Sequence, residues 1–141
     1  MIGVLVLIFA TIEASWAIYC DHYLGNVAHE ATRYAIVRGS SWTTSCAAYT
    51  SSMCKASTTD IANYVVSRNF PGINIAASNV CVQYFSTMPS STSSSCTGNT
   101  SPNAPGDIVQ VTITYPFNLA IPLAPAITWH LASTSQMVIA Q

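Results

Sequence analysis

The sequence predicts an α+β fold in which a long apolar N-terminal helix packs on a small antiparallel β-sheet. Two observations predict it: an uninterrupted helical pattern over residues 1–38, and a following region of short alternating segments separated by turn-rich sequence. The 141 residues suit one domain with a usable core. We therefore divide the chain into an N-terminal helix of residues 1–39 and a globular head of residues 40–141.

The composition is poor in charge. Asp, Glu, Lys and Arg make up 6% of the residues, where about 25% is usual for a soluble domain. Four basic and five acidic residues give a formal net charge of -1, and no basic patch is visible that would hold nucleic acid phosphates. The 50% hydrophobic content excludes a disordered chain. So little charge is typical of a subunit whose surface is largely covered by neighbours.

The first twenty residues are apolar on every side of the predicted helix, with Glu13 as their one charge. Twenty helical residues span about 30 Å, the thickness of a bilayer core, so this segment needs lipid or other helices around it. A signal peptide would show a charged n-region and a small-residue cleavage site, and neither is visible. The side chains expected to pack against other subunits are Met1, Leu5, Ile8, Phe9, Ile12, Glu13 and Trp16.

Glu13 has two interpretations. A bare carboxylate in hydrocarbon costs several kcal/mol unless it is protonated or paired. Either the side chain is protonated or reaches the membrane surface, or it pairs with the N-terminal amine of a neighbouring copy. Met1 lies twelve residues away, about 18 Å along the axis, so a neighbour shifted by that distance would bring its amine to the carboxylate.

The second half of the helix is amphipathic. Cys20 lies within the apolar pattern and is expected to be a buried, unpaired thiol. Glu30 and Arg33, three residues apart, are expected to pair weakly, and Gly39 is the predicted C-terminal cap. The stripe that should pack on the head recurs at spacings of three and four: Leu24, Val27, Ala28, Ala31, Tyr34 and Ala35.

One short helix and three strands are predicted in the head. The helix begins with a cap within residues 58–60 and runs to about Arg68, before Pro71-Gly72. The strands cover residues 79–85, 107–115 and 128–140, and Pro116 is expected to end the second one. They should form an antiparallel sheet on the amphipathic half of the long helix.

Residues 86–101 hold eleven Ser or Thr among sixteen positions, which predicts an exposed loop. Asn99 meets the N-glycosylation pattern, although such a pattern also arises by chance in a loop of this composition. The same loop offers hydroxyl groups for O-linked sugar at Ser91, Ser93 and Ser94.

Four head cysteines fall into two pairs that are local in sequence: Cys46 with Cys54, and Cys81 with Cys96. We predict two loop-closing disulfides formed in an oxidising compartment, although four cysteines allow three pairings and the sequence does not choose among them. Free thiols in a reduced cytoplasm are the alternative. No CxxC pair is present to suggest a zinc ribbon.

Signals for catalysis are absent from the sequence. His22 and His29 are two helical turns apart, so a metal ion would need ligands from elsewhere, and His130 is far away in the chain. No nucleotide-binding, serine hydrolase or metalloprotease motif occurs. We expect no catalytic residue, metal or cofactor, and hence no enzyme. Five aromatic residues are expected to anchor the chain at a membrane interface, to pack between subunits or to fill the core: Trp16, Tyr19, Tyr23, Trp42 and Trp129.

Two segments resemble the TadE-like pseudopilins of tight-adherence pilus systems, within the type IV pilin-like proteins. Residues 28–39, Ala-His-Glu-Ala-Thr-Arg-Tyr-Ala-Ile-Val-Arg-Gly, resemble that family's helix end. Residues 111–117, Val-Thr-Ile-Thr-Tyr-Pro-Phe, are similar to its strand-Tyr-Pro-Phe signature. The resemblance spans nearly the whole chain and implies a pilin-like fold. It also implies export by a pilus machine, prepilin cleavage, and either polymerisation as a pilin or a minor role in assembly.

The partners implied by the resemblance are identical subunits in a helical filament, the inner membrane before assembly, and the pilus machinery. The implied location is the extracellular pilus at the cell surface. Pilins usually carry a Glu five residues after the cleavage point, whereas position 5 here is Leu5. Either the mature chain starts at Met1 or upstream residues are missing. Glu13 matches instead a second acidic position that TadE-like helices often show near the end of the apolar run.

Overall fold

The predicted α+β class is confirmed: a long apolar helix packs on a three-stranded antiparallel sheet of order β1-β2-β3. The elements are α1 (Ile2–Ile36), α2 (Thr58–Ser67), a 3₁₀ turn (Ala77–Asn79), β1 (Val80–Phe85), β2 (Ile108–Leu119) and β3 (Ile127–Val138). This computed structural model describes residues 2–42, 44–46, 54–68, 72–88, 96, 103–119 and 127–140.

The core lies between the sheet and the second half of α1. The predicted helix stripe is confirmed, because Leu24, Ala28 and Ala31 are fully buried and the other three members are at most 7% exposed. Opposite them, the inward residues of β2 are Val109, Val111 and Ile113, all fully buried. The second half of α1 is therefore part of the core of the head.

Helix α1 ends at Ile36, three residues before the predicted cap. Gly39 does not adopt the left-handed conformation of a C-terminal cap glycine, so that prediction was wrong. Arg38 instead satisfies carbonyl groups at the end of the helix. Its backbone N–H donates to the Ala35 carbonyl at 3.1 Å, and its guanidinium donates to the Tyr34 carbonyl at 3.1 Å. A cation at this end also opposes the negative end of the helix dipole.

The cap of α2 lies one residue earlier than predicted. The Ser57 side chain accepts a hydrogen bond from the Asp60 N–H, and the Asp60 carboxylate accepts one from the Ser57 N–H, which makes a capping box. The buried face of α2 includes Ile61 and Val65, as the spacing predicts, while Phe70 lies outside the described residues.

Strand β2 continues through Pro116 to Leu119, so the prediction that Pro116 ends it was wrong. The register explains why. Strand β1 pairs with β2 only as far as Val80 opposite Ile113, and beyond that point the described partner of β2 is β3 alone. A proline is tolerated where a strand has a neighbour on one side only, because its missing N–H then leaves no ladder bond unmade.

Candidate assembly surface on the N-terminal helix

The first half of α1 is largely exposed, with only one face half-buried. Nine large apolar side chains between Val4 and Tyr19 are 38% to 66% exposed, and they include the predicted packing residues Leu5, Ile8, Phe9, Ile12 and Trp16. Only 6% of the most apolar 18-residue window is buried, and this helix is long and apolar enough to cross a membrane. Met1 lies outside the described residues.

The free-energy cost of leaving this surface in water is large. Each large apolar side chain gains about 1.5–3 kcal/mol on full burial, so nine partly exposed ones represent on the order of 10 kcal/mol. That is comparable with the whole stability of an ordinary domain. The first half of α1 therefore needs lipid or other protein surfaces around it.

Glu13 is half-buried and lies on the helix face that continues into the core. It precedes Leu24 by eleven residues and Ala31 by eighteen, and both spacings are close to whole numbers of turns. Within the described part of the chain Glu13 makes no ion pair. The predicted pairing with the amine of a neighbouring Met1 stays a prediction, because it concerns a second copy and an undescribed residue.

Three stacked aromatic rings mark the junction between the two halves of α1. Trp16 stacks on Tyr19 with ring centroids 5.3 Å apart, and Tyr19 stacks on Tyr23 at 6.5 Å. Tyr23 donates its hydroxyl to the Arg68 carbonyl at the end of α2. Gly72, with φ of +91°, lies so close to the Trp16 ring that a Cβ there would be 3.2 Å from it. The stack thus attaches the junction to the head.

Above this junction the fold collects three of the four basic side chains into one cleft of about 640 Å³, lined by Arg33, Arg38 and Arg68. Arg68 pairs with Glu30 at 3.1 Å, so the structure has this ion pair where the sequence predicted one between Glu30 and Arg33. Tyr64 donates to Glu30 at 2.8 Å and accepts from Arg68 at 2.8 Å.

Two stacked tyrosines form the floor of the same cleft. The rings of Tyr34 and Tyr64 lie 4.3 Å apart, and the Arg38 and Arg68 guanidinium groups lie 3.9 Å and 4.8 Å from their respective ring centroids. Burial is the main cause that raises the pKa of Tyr64. Sequence reasoning missed this cluster, because Arg68 is thirty residues from Arg38 and only the packing of α2 on α1 brings them together.

The histidines do not converge on a metal site. His29 Nδ1 lies 2.9 Å from the Ser135 hydroxyl and links α1 to β3, whereas His22 and His130 are exposed elsewhere. Among the described residues, no group of three His, Cys, Asp or Glu side chains is placed to hold a metal ion.

The head cysteines form the two local pairs. Cys46 is bonded to Cys54, and Cys81 on β1 is bonded to Cys96, with Cα–Cα distances of 4.9 and 5.5 Å. Cys20 is a free thiol and fully buried, as its position in the apolar pattern predicts. The glycosylation candidates lie outside the described residues: Ser91, Ser93, Ser94 and Asn99.

Comparison of this chain with protein-family models, curated proteins and solved structures finds no match. The geometry of the exposed helix and the chemistry of the head are therefore the basis for a functional assignment.

Proposed function

We propose that this chain is a structural subunit, a pilin, of an extracellular filament that polymerises through the first half of α1. One observation carries the proposal: a single helix exposes nine large apolar side chains between Val4 and Tyr19, whereas its remaining turns bury one face against its own head. Such a helix leaves one half available for other copies or for lipid, while the head remains folded around the other half.

The head supports the proposal by its lack of charge. Strands β2 and β3 contain no Asp, Glu, Lys or Arg among their 24 residues. A surface of this kind is prone to self-association in isolation, but it is suited to contact with neighbouring subunits. The two disulfides favour an oxidising environment outside the cytoplasm.

Before assembly, the same apolar half is expected to hold the chain in the inner membrane. Its Trp16 and Tyr19 are 38% and 39% exposed at the end of the apolar run, where aromatic side chains favour the membrane–water interface. This role requires no catalytic site, because it consists of transfer of the helix from the lipid into a bundle of identical helices. We propose no cofactor and no enzymatic activity.

A second candidate function is a minor pseudopilin or assembly factor that remains in the membrane. One observation favours it: the arginine cleft, with Arg33 exposed at its rim, offers a charged contact surface on an otherwise charge-poor head.

Imaging of sheared surface appendages separates the two functions. Cells that make the chain are sheared, and the appendages are imaged by cryo-electron microscopy while the membranes are probed for the chain. If this polypeptide accounts for the filament density with its helices at the centre, it is a structural pilin. Filaments built from another protein, with this chain retained in the membrane, would contradict that function and support the assembly factor.

The role of the exposed helix is tested by Ile12→Lys, with Ser41→Lys as the matched control. Ile12 is 57% exposed in the apolar half, and Ser41 is exposed on the head. A lysine in the apolar half costs about 3 kcal/mol per subunit in an apolar environment, so filaments should be lost. Ser41→Lys should assemble normally. Both variants should retain two disulfides, and normal filaments from Ile12→Lys would refute polymerisation through this surface.

A further inference from the structure

The far end of the β2–β3 hairpin carries an apolar patch that continues the core face of the sheet, with Phe117 buried at 3% exposure. Phe117 is opposite Trp129, and Leu119 is opposite Ile127, so these four residues share one face of the sheet. It is the face turned toward α1, since Ser135 on the same side of β3 contacts His29. Trp129 and Ile127 are nevertheless 52% and 43% exposed. We call these four residues the hairpin patch.

The hairpin patch lies beside the exposed half of α1. Strand β3 and α1 run side by side in the same direction: the Ala140 N–H bonds to the Ile36 carbonyl, His29 contacts Ser135, and a Cβ on Gly25 would lie 3.6 Å from the Ser133 hydroxyl.

The axial level of the patch follows from these contacts. Four strand residues, from Ser133 back to Trp129, cover about 13 Å, which equals about nine helical residues. Counting back from Gly25 places Trp129 level with Trp16, the start of the aromatic stack on α1. Ile127 lies further along, at about the level of Ile12.

The chemistry of the patch suits a lipid interface. No charged side chain from β2 or β3 would have to be dehydrated there, and tryptophan favours the boundary between headgroups and acyl chains. The backbone between the strands is already paired along the register from Ile108 to Leu119. An open sheet edge cannot enter the hydrocarbon core, so the patch can reach only the interfacial layer.

We propose that the hairpin patch is a second membrane contact of this chain, immersed in the lipid interface beside α1. The inference rests on the proposed insertion of α1 into the membrane. Two membrane contacts, the helix and the hairpin, fix the orientation of the head relative to the bilayer. A single contact through the helix would let the head reorient about the helix end. The occupant of the patch before assembly is the interfacial layer of phospholipid.

The three tryptophans of the chain allow a direct test. Trp16 reports on α1, Trp129 reports on the patch, and Trp42 is the control, because its indole bonds to the Val37 carbonyl at the opposite end of α1. Trp42 is thus about 30 Å along the helix axis from Trp16. Three full-length single-tryptophan variants, with phenylalanine at the other two positions, are reconstituted in phosphatidylcholine vesicles that contain acyl-brominated lipid.

Bromine quenches tryptophan fluorescence on contact, so quenching measures lipid proximity. Trp16 and Trp129 should both lose fluorescence, Trp129 more with bromine near the headgroup than with bromine deep in the acyl chain. Trp42 should be unaffected. If Trp16 is quenched while Trp129 behaves like Trp42, the hairpin contact is refuted and the membrane anchor stands. If neither Trp16 nor Trp129 is quenched, the proposed insertion itself fails.

A second copy of the chain is the competing occupant of the patch. In that case Trp129 would be protected from aqueous acrylamide but not quenched by bromolipid, and the protection would rise with the protein-to-lipid ratio. That result would overturn the lipid contact. A second measurement avoids the tryptophan changes: nitroxide labels at Ile127→Cys and, as the control, Ser41→Cys are compared for broadening by oxygen and by a water-soluble nickel chelate. The label at position 127 should be more accessible to oxygen, and equal ratios at the two positions would contradict the proposal.

Discussion

The two halves of α1 have the same secondary structure and opposite environments. From Val4 to Tyr19 the large apolar side chains are exposed, whereas from Cys20 onward one face of the helix is buried by the sheet. The difference lies in what covers each half. The second half is covered by its own chain, while the first half has no comparable cover among the described residues, so its apolar surface favours contact with lipid or another protein surface.

Side-chain size also differs between the halves. The buried face of the second half includes Ala28, Ala31 and Ala35, each at most 1% exposed, and Gly25 faces Ser133. Small residues let the sheet approach the helix axis closely. The first half carries Leu, Ile, Val and Phe, which offer apolar area in every direction. The same helix therefore holds an intramolecular contact in its second half and an exposed apolar surface in its first half.

The largest expected effect comes from the same substitution made in each half. Leu24→Ala should lower the free energy of unfolding of the head by about 2–5 kcal/mol, because a fully buried leucine leaves a cavity. Leu5→Ala should leave it within about 0.5 kcal/mol of wild type, because Leu5 is 53% exposed. Chemical unfolding in detergent, followed by near-UV circular dichroism, measures both. Equal losses would remove the distinction between the halves.

The next effect concerns the sheet that covers the second half. Burial raises the pKa of Tyr84 from 10.0 to about 12. The unfolded chain then loses this proton at lower pH than the folded one, so the stabilising contribution is complete below pH 10 and disappears as pH rises through about 12. A difference of two pKa units between the folded and unfolded chain corresponds to about 2–3 kcal/mol of unfolding free energy. The free energy of unfolding of the wild type should fall as the pH rises through this range. The same decrease should be smaller in Tyr84→Phe, which has no hydroxyl proton to lose. An identical pH profile for both would contradict it.

A smaller effect is expected at the contact between α1 and β3. His29→Ala should cost about 1 kcal/mol of unfolding free energy, because the hydrogen bond to Ser135 is lost. His22→Ala is the matched control on the same helix, since the His22 side chain is exposed and makes no hydrogen bond to another described residue. Thermal unfolding of both variants at one pH compares them. A loss at His22 as large as at His29 would argue against the assigned contact.

The smallest effect is expected at the ion pair of the arginine cleft. Glu30 and Arg68 are both about half exposed, so Glu30→Gln should change the unfolding free energy by about 1 kcal/mol or less, and the change should shrink at high salt. Arg33→Gln is the control, since Arg33 makes no ion pair within the described residues. A loss above about 2 kcal/mol at Glu30 would mean that the cleft carries more of the attachment of α2 to α1 than its exposure indicates.

Periodic patterns made most of the fold predictable. The spacing of Leu24, Val27 and Ala31 identified the buried helix face, and the alternation around Val109 and Val111 identified the central strand. These signals are local, because a side chain's direction follows from the helical or strand period. Element ends were less predictable. Pro116 was expected to end β2, but whether a proline breaks a strand depends on neighbours that a local pattern does not contain.

The candidate functional surfaces also divide into those that the sequence predicts and those that it does not. The exposed apolar residues from Leu5 to Trp16 were identifiable, because a helix that is apolar on every side is visible in the sequence alone. The arginine cleft and the hairpin patch were not, since each joins residues far apart in the chain. Arg68 meets Glu30 only after α2 packs on α1, and Trp129 reaches the level of Trp16 only because β3 runs alongside the helix.

By itself, the sequence determined that the chain has one apolar helix with an amphipathic continuation that packs on the head, and that the head is poor in charge, because composition and period are properties of consecutive residues. Only the tertiary structure decided which cysteines are bonded, which carboxylate Arg68 pairs with, and where the hairpin ends along α1. These depend on distances between elements, and packing rather than local propensity sets those distances.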